Sequence, residues 1–361
     1  MRPRPSRNFQ EAPGPQHMTL PARITTENEL EHALAEPTDA DVDVVARLDG
    51  DILILGAGGK MGPSLARRVQ RAVRESGGTQ RVLAASRFSS ATLREGLEAD
   101  GVRTVASDLL DRAQIEALPD CPYVLFLAGR KFGTLDRTDL TWFTNTIVPA
   151  HVAERFHRSR MVVFSTGNVY PLVPVDGPAP TEDVVPSPVG EYAQSCLGRE
   201  RVVEFVSREK GMRAVVFRLN YAVDLRYGTL VDVASRVFNG EPIDLTVGFF
   251  NAIWQGDANS YALRSLDLCS TPPAVLNVTG PERISVRQTA AWFGEAFGKQ
   301  PVFVNSEGPV ALLSDSSKCR AQLGEPLVPF ELLREWVAHW LRIGGPTLNK
   351  PTRFEVADGT F

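Results

Sequence analysis

Residues 51–62 read DILILGAGGKMG and run directly into a helix-like stretch that ends near Glu75. The segment DILIL is a short apolar run, the pattern of a strand covered on both faces. The glycines that follow, Gly56, Gly59 and Gly62, have a GxxGxxG spacing. Each has a physical reason to be glycine. Gly56 permits the tight strand-to-helix turn, Gly59 lets the backbone approach a pyrophosphate, and Gly62 lets the helix pack close to the sheet. The helix start then presents free N–H groups and the positive end of its dipole to a phosphate. The spacing alone is a weak signal. Between an apolar strand and a helix, at the head of a strand–helix series, it predicts a dinucleotide cradle formed by Gly56, Gly59, Lys60, Met61 and Gly62.

Outward from this loop the rhythm repeats. Strands are expected at 81–85, 102–106, 123–128, 160–164 and 213–219, and helices at 90–98, from Asp111, at about 138–157 and at about 190–208. Short apolar strands alternating with amphipathic helices predict an α/β chain with a doubly wound parallel sheet of Rossmann type. After Asn220 the elements become shorter and mixed, with 243–247, a helix over about 257–269, a strand at 275–279, and helices at 285–297 and 329–343. This C-terminal part predicts a smaller mixed α/β lobe for the substrate. The expected division is a disordered tail over 1–23, a helical extension over 24–49, the dinucleotide-binding domain over 50–220, and the substrate lobe over 221–361, interleaved with that domain and ending in an extended strap. Thr26 and Glu29 have capping-box spacing at the start of the extension, and Met18 is a second candidate initiator.

Composition narrows the partners. Of 361 residues 43% are hydrophobic, 23% are charged, and the formal net charge is -4. An acidic balance argues against nucleic acid, and no apolar run reaches membrane-spanning length. The basic N-terminus lacks the apolar core of a secretory signal. Cys121, Cys196, Cys269 and Cys319 are widely spaced, which predicts reduced thiols, a cytoplasmic location and no metal site.

The end of the second strand discriminates between cofactors. An acidic residue there would hold the ribose 2′-hydroxyl of NAD. This chain has Ser86 and Arg87, which suit the 2′-phosphate of NADP, and Lys60 could add a second positive charge. NADP is therefore favoured over NAD.

Together with later segments these residues resemble the extended short-chain dehydrogenase/reductase family, the NAD-dependent epimerase/dehydratase group, from about residue 50 to 343. Asp108 and Leu109 look like its adenine-contacting pair. Leu127, Ala128 and Gly129 look like its segment beside the cofactor, and Asn145 stands where the family has a structural asparagine. Phe164–Tyr170 is similar to its S-[ST]-x-x-V-Y stretch. Glu191–Cys196 is similar to its Y-x-x-x-K motif. Arg218–Tyr221 is similar to its R-P-x-N-x-Y turn, and Leu276–Gly280 to its late strand. The resemblance implies hydride transfer at a carbinol or carbonyl carbon, with Thr166 polarising the reacting oxygen and Tyr192 as acid/base. It also implies a homodimer through the two long helices, which carry Trp142, Phe143, Ile147 and Val148, then Tyr192, Leu197, Val202 and Phe205.

Two departures bear on function. Position 196 shares a helix face with Tyr192 and holds Cys196 where the family has lysine. An unperturbed tyrosine, with a pKa of about 10, is phenolate in roughly one molecule per thousand at neutral pH, and each unit of depression is worth ~1.4 kcal/mol. Cys196 supplies no cation, although a thiol could itself act as acid/base. Arg130, Lys131, Arg199, Arg218 and the oxidised nicotinamide ring are the candidate charges. In the second departure, Phe250–Asp257 lacks the arginine of the family's R-D-[FY] segment, which leaves Arg226 and Arg283 as possible anion contacts. The expected substrate is a sugar or sugar-like alcohol or ketone, nucleotide-linked or free, with Arg130, Asn168, Asn220, Arg226 and Trp254 as candidate contacts. The rival reading is a non-catalytic protein that binds NAD(P) or a metabolite.

Overall fold

The computed structural model describes residues 20–131, 133, 136–348, 350 and 352–356. Most of the expected N-terminal tail, residues 1–19, lies outside them. The central sheet has seven strands: β1 (Ile52–Leu55), β2 (Val82–Ser86), β3 (Arg103–Ala106), β4 (Tyr123–Phe126), β5 (Arg160–Thr166), β6 (Arg213–Leu219) and β7 (Ala274–Val278). Their order is β7-β6-β5-β4-β1-β2-β3, with every pairing parallel. This is a doubly wound Rossmann-type sheet, and the order reverses at β1, between β2 and β4. A crevice opens there at the carboxyl ends of the strands.

The two faces of β1 show how the sheet is covered. Ile52 and Ile54 join one core with α2 (Asp39–Ala46), α3 (Gly62–Glu75), α4 (Ala91–Ala99) and, later in the chain, residues of the helix Gln255–Arg264. Leu53 and Leu55 join the opposite core with α5 (Arg112–Glu116), the helical segments around Val148–Arg155, and Gly190–Lys210. Alternate side chains of a strand point to opposite faces, so a strand apolar at every position needs helices on both sides.

The long helix expected over 138–157 is divided. It runs as α6 (Thr138–Trp142), one turn of π-helix over Phe143–Ile147, and α7 (Val148–Arg155). A π turn inserts an extra residue into the helix and often marks a functional position, and Asn145 sits in this one. The next helix, α8 (Gly190–Lys210), matches its expected start.

The late strand assigned to the mixed part of the chain is β7, a seventh member of the central sheet beside β6. Its apolar run gave no sign of which sheet it would join. The smaller lobe has its own core. Val231, Val233 and Val237 of α9 (Thr229–Asn239) pack there with Phe293, Trp336 and Trp340 from the helices Val286–Phe297 and Phe330–Arg342. Ile24, Leu30 and Leu34 from around α1 (Glu27–Ala35) belong to the same core. The Thr26 cap accepts from Glu29 N at 3.1 Å, but the Glu29 carboxylate returns to Thr25 instead of Thr26. The full capping box is at Thr38 and Asp41, where α2 starts. Asp41 is fully buried and also accepts from Arg68 at 2.8 Å and Ser260 at 2.6 Å, tying the extension to α3 and the helix Gln255–Arg264.

Candidate active site

The crevice at the reversal point holds a cavity of about 420 Å³. Gly56, Gly59, Lys60, Met61 and Gly62 line it from the loop after β1, Leu127, Gly129, Arg130 and Lys131 from the segment after β4, and Thr166 and Asn168 from the end of β5. Tyr192 and Arg199 of α8, and Asn220, Tyr221, Ala222, Tyr227 and Gly228 beyond β6, complete the walls with Leu348, Lys350 and Thr352 of the strap.

The glycine loop is shaped as its sequence requires. Gly56 has φ +88°, and a β-carbon there would stand 2.7 Å from Ala128 N. A β-carbon on Gly62 would stand 2.5 Å from the Ala57 backbone, so the first turn of α3 sits directly on the loop. Ala128 thus contributes by packing beneath Gly56, while Leu127 and Gly129 face the cavity. The chain fits a dinucleotide here, with backbone brought close by glycine and a 14-residue helix beginning at the loop. The described lining residues include Lys60, Arg130, Lys131, Arg199 and Lys350 and no carboxylate, a sign of charge suited to phosphates. Asn220 Nδ2 is buried and has no hydrogen-bond partner among the described residues, an orphaned donor aimed at a place where ligand atoms are expected.

Thr166, Tyr192 and Cys196 are brought together. The Tyr192 hydroxyl hydrogen-bonds with both Thr166 and Cys196. Thr166 Oγ1 also donates to Asn168 Oδ1 at 2.9 Å and accepts from Asn168 N at 3.2 Å. Burial pushes the Tyr192 phenol well above its ordinary value of 10.0; the neighbouring Cys196 adds to this and Arg199 opposes it. Burial also raises the Cys196 thiol, which leaves it a packed neutral group beside Val169 and Tyr170.

Asn145 is fully buried and organises the wall. Its Oδ1 accepts from Arg130 N at 2.8 Å and Arg199 Nη2 at 2.9 Å, and its Nδ2 donates to Arg130 O at 3.0 Å and Ser195 Oγ at 2.9 Å. It therefore acts by joining the β4 loop to α8.

Several expected contacts lie elsewhere. Trp254 is in the core of the smaller lobe, edge-on to Trp336 at 5.3 Å between ring centroids, and lines none of the cavity. Arg226 is held by Asp224 at 2.7 Å and Glu31 at 2.6 Å, which binds it to the N-terminal extension. Arg283 donates to Val175 O and Gly177 O and pins that loop. Arg218 is ion-paired with Glu200 at 2.7 Å and donates to Tyr170 Oη at 2.6 Å, so its charge is already matched. Lys60 Nζ donates to Ala222 O at 3.0 Å and lies 4.2 Å from the Tyr227 ring centre, toward the smaller lobe. Its charge is thus committed away from the second strand. Ser86 stands beside Gly58, where a β-carbon would be 2.4 Å from Ser86 Oγ, and Arg87 is exposed. Asp108 Oδ1 accepts from Leu110 N at 3.1 Å, shaping the turn that carries Leu109.

Three features of the site escaped the sequence reading. Glu200 partners both Arg218 and Ser165, the latter at 2.5 Å; its spacing four residues after Cys196 was the only available signal. Asp232 is half-buried, and it accepts from Thr352 N at 2.7 Å and Thr352 Oγ1 at 2.6 Å, which holds the strap. Leu348, Lys350 and Thr352 of the strap line the cavity, and the chain beyond them is anchored by Phe354 in the lobe core and by Arg236 to Glu355 at 2.7 Å. Nothing local in its sequence marks it as a cavity wall.

The model of the NAD dependent epimerase/dehydratase family matches residues 52–223. That stretch is similar to this family over just under half of the chain. Solved structures extend the likeness over the smaller lobe. The UDP-glucuronic acid 4-epimerase of Bacillus cereus, bound to a fluorinated UDP-sugar acid and NAD, is 19% identical, with a TM-score of 0.67 over 81% of this chain and 99% of that one. The UDP-Glc/GlcNAc 4-epimerase of Campylobacter jejuni is 20% identical, with a TM-score of 0.67 over 80% and 98%. MoeE5 in complex with UDP-glucose and NAD is 20% identical, with a TM-score of 0.64 over 82% and 98%. At these identities the likeness establishes the fold. No curated protein matches the chain. Within the family motifs, the departure at Cys196 is structural as well as chemical: the position is buried and carries no charge.

Proposed function

We propose that this epimerase/dehydratase-family chain is an NAD(P)-dependent oxidoreductase or epimerase that acts on a sugar or sugar-like alcohol or ketone, with Tyr192 as acid/base. The observation that carries the reading is the meeting of the Tyr192 and Thr166 hydroxyls in a cavity whose other end is the glycine loop. A bound nicotinamide would accept or deliver the hydride. The chain supplies the proton chemistry. Thr166 and Tyr192 hold the reacting oxygen, and Asn168 fixes the Thr166 hydroxyl. Tyr192 is a phenol at neutral pH, because burial disfavours the anion. It is therefore set to donate its proton to a carbonyl oxygen, and its phenolate takes the proton back in the reverse reaction. NADP is the favoured cofactor on the strength of Ser86 and Arg87, and NAD, present in the structural neighbours, is the alternative. Asn168, Asn220 and Arg130, which line the cavity or its wall, are the proposed substrate contacts.

The same helices support a homodimer. Trp142, Phe143, Ile147 and Phe205 all keep large exposed apolar surfaces, whereas Val148 is buried. Light scattering checks this, and a monomer at micromolar concentration overturns it.

A second reading is favoured by one observation, the neutral packed thiol at position 196: a protein that binds the cofactor and has lost hydride transfer. A panel of ketoses, aldoses and sugar acids offered with NADPH deuterated at C4 separates the two. Deuterium in a product, lost in Tyr192→Phe, supports the enzyme. Cofactor binding without transfer to any member supports the binding protein.

A further inference from the structure

We propose that Arg199, one turn beyond Cys196 on α8, supplies the positive charge that Tyr192 works against. The inference rests on the acid/base reading of Tyr192 and concerns what replaces the missing lysine.

The helix geometry allows it. Residues 192, 196 and 199 fall on one face, since positions four and seven apart nearly eclipse. Long side chains on a helix lean toward its N-terminus and cover the preceding turn. Arg199 therefore reaches back over Cys196, whose short side chain leaves room. The guanidinium lies against the Gly129 backbone, where a β-carbon would stand 2.6 Å from Nη2. It is held by Nη1 to Phe164 O at 2.6 Å, Nη2 to Asn145 Oδ1 at 2.9 Å and Nε to Asn145 O at 3.3 Å. Phe164 lies two residues before Thr166, and Asn145 occupies the π turn, so strand, loop and helix all fix one cation on the cavity wall.

The electrostatics single it out. Arg199 is 5% exposed, yet among the described residues every acceptor it has is a neutral carbonyl oxygen. The other two arginines buried among the described residues have carboxylates, Arg68 with Asp41 at 2.7 Å and Arg218 with Glu200 at 2.7 Å. A buried cation without a counter-ion is costly, and a catalytic phenol that must pass through its anion is the kind of partner that repays it. The groups facing Tyr192 and Cys196 are Arg199 and Glu200 on α8, Thr166 at the end of β5, and Lys131 after β4. Glu200 is spent on Arg218. Lys131 bears on Cys196 and Asp232, and Arg199 bears on both Tyr192 and Cys196.

The test reads the phenol directly and needs no substrate. Tyr192 is replaced by 3,5-difluorotyrosine, whose ring fluorines lower the phenol's titration, and ¹⁹F NMR follows that one group against pH in the full chain with saturating NADP⁺. Arg199→Gln is expected to raise the titration midpoint by about one unit, tenfold in ionised fraction. Arg199→Lys is expected to keep it within half of that, and Cys196→Lys added to Arg199→Gln to bring it back down. A folded Arg199→Gln protein with an unmoved midpoint overturns the proposal. If Arg199→Gln does not fold, Arg199→Met, which keeps the apolar stem, takes its place: a rise of about half a unit or more supports the proposal and a smaller one overturns it. Turnover of Tyr192→Phe tests the acid/base reading separately, so the two can fail independently.

Discussion

The guanidinium of Arg199 and the backbone of Gly129 are in direct contact, with Nη2 2.6 Å from where a β-carbon at 129 would be. The arginine is pinned by three hydrogen bonds and has no slack to move aside. Gly129→Ala is therefore expected to destabilise the protein by about 1–3 kcal/mol, the usual cost of overpacking. Thermal unfolding measures it. A melting temperature equal to the parent's would mean that the wall yields more easily than these contacts imply.

Tyr192→Phe removes the proton donor and keeps the ring. Turnover is expected to fall by about 10²–10⁴-fold, the range of general acid–base contributions, while cofactor affinity changes by less than about threefold. Steady-state rates beside a binding titration check both halves, and near-parental turnover removes Tyr192 from the mechanism.

Lys60 gives a pH dependence with a definite sign. Burial lowers its ammonium from 10.5 to about 7. A bound phosphate favours the protonated form, so binding takes up a proton above pH 7. Cofactor affinity should be flat below about pH 6 and fall as pH rises through 7, by up to about tenfold per unit. In the free protein the unfolded chain holds this proton more tightly, so the Lys60 contribution to stability increases between pH 7 and 10.5. Lys60→Met should bind more weakly at pH 6 and lose this slope. Calorimetric titration in buffers of different ionisation enthalpy counts the protons, and an unchanged slope in the variant would assign the dependence elsewhere.

Arg87 is exposed at the end of β2, where a 2′-phosphate would lie. Arg87→Ala should weaken NADPH binding by about tenfold, one charge-assisted contact, and leave NADH within about twofold. Equal losses for both cofactors would show that Arg87 does not read the phosphate.

The sheet was legible because its signals are local. Apolar strands such as Ile52–Leu55 and Val82–Ser86, and the glycines at 56, 59 and 62, state their own conformation. The joining of Thr166 to Tyr192 was legible only through the family pattern, since the two lie on separate elements and meet through tertiary packing. What was not legible depended on partners distant in the chain. Trp254 reads more readily as a core ring than as a sugar platform, and Trp336 decides it. Arg226 reads as an anion contact until Glu31 takes it. Leu348, Lys350 and Thr352 follow no pattern of their own and become a wall of the cavity, where Asp232 holds Thr352.

The central claim is that the crevice beside β1 holds a nicotinamide dinucleotide, and titration of the protein with NADPH and with NADH, followed by nicotinamide fluorescence, tests it most directly. The account predicts saturable binding of both, tighter for NADPH, and loss of binding in Gly62→Val, whose side chain would press on the Ala57 backbone. Absence of binding by either cofactor to the folded parent protein would contradict it.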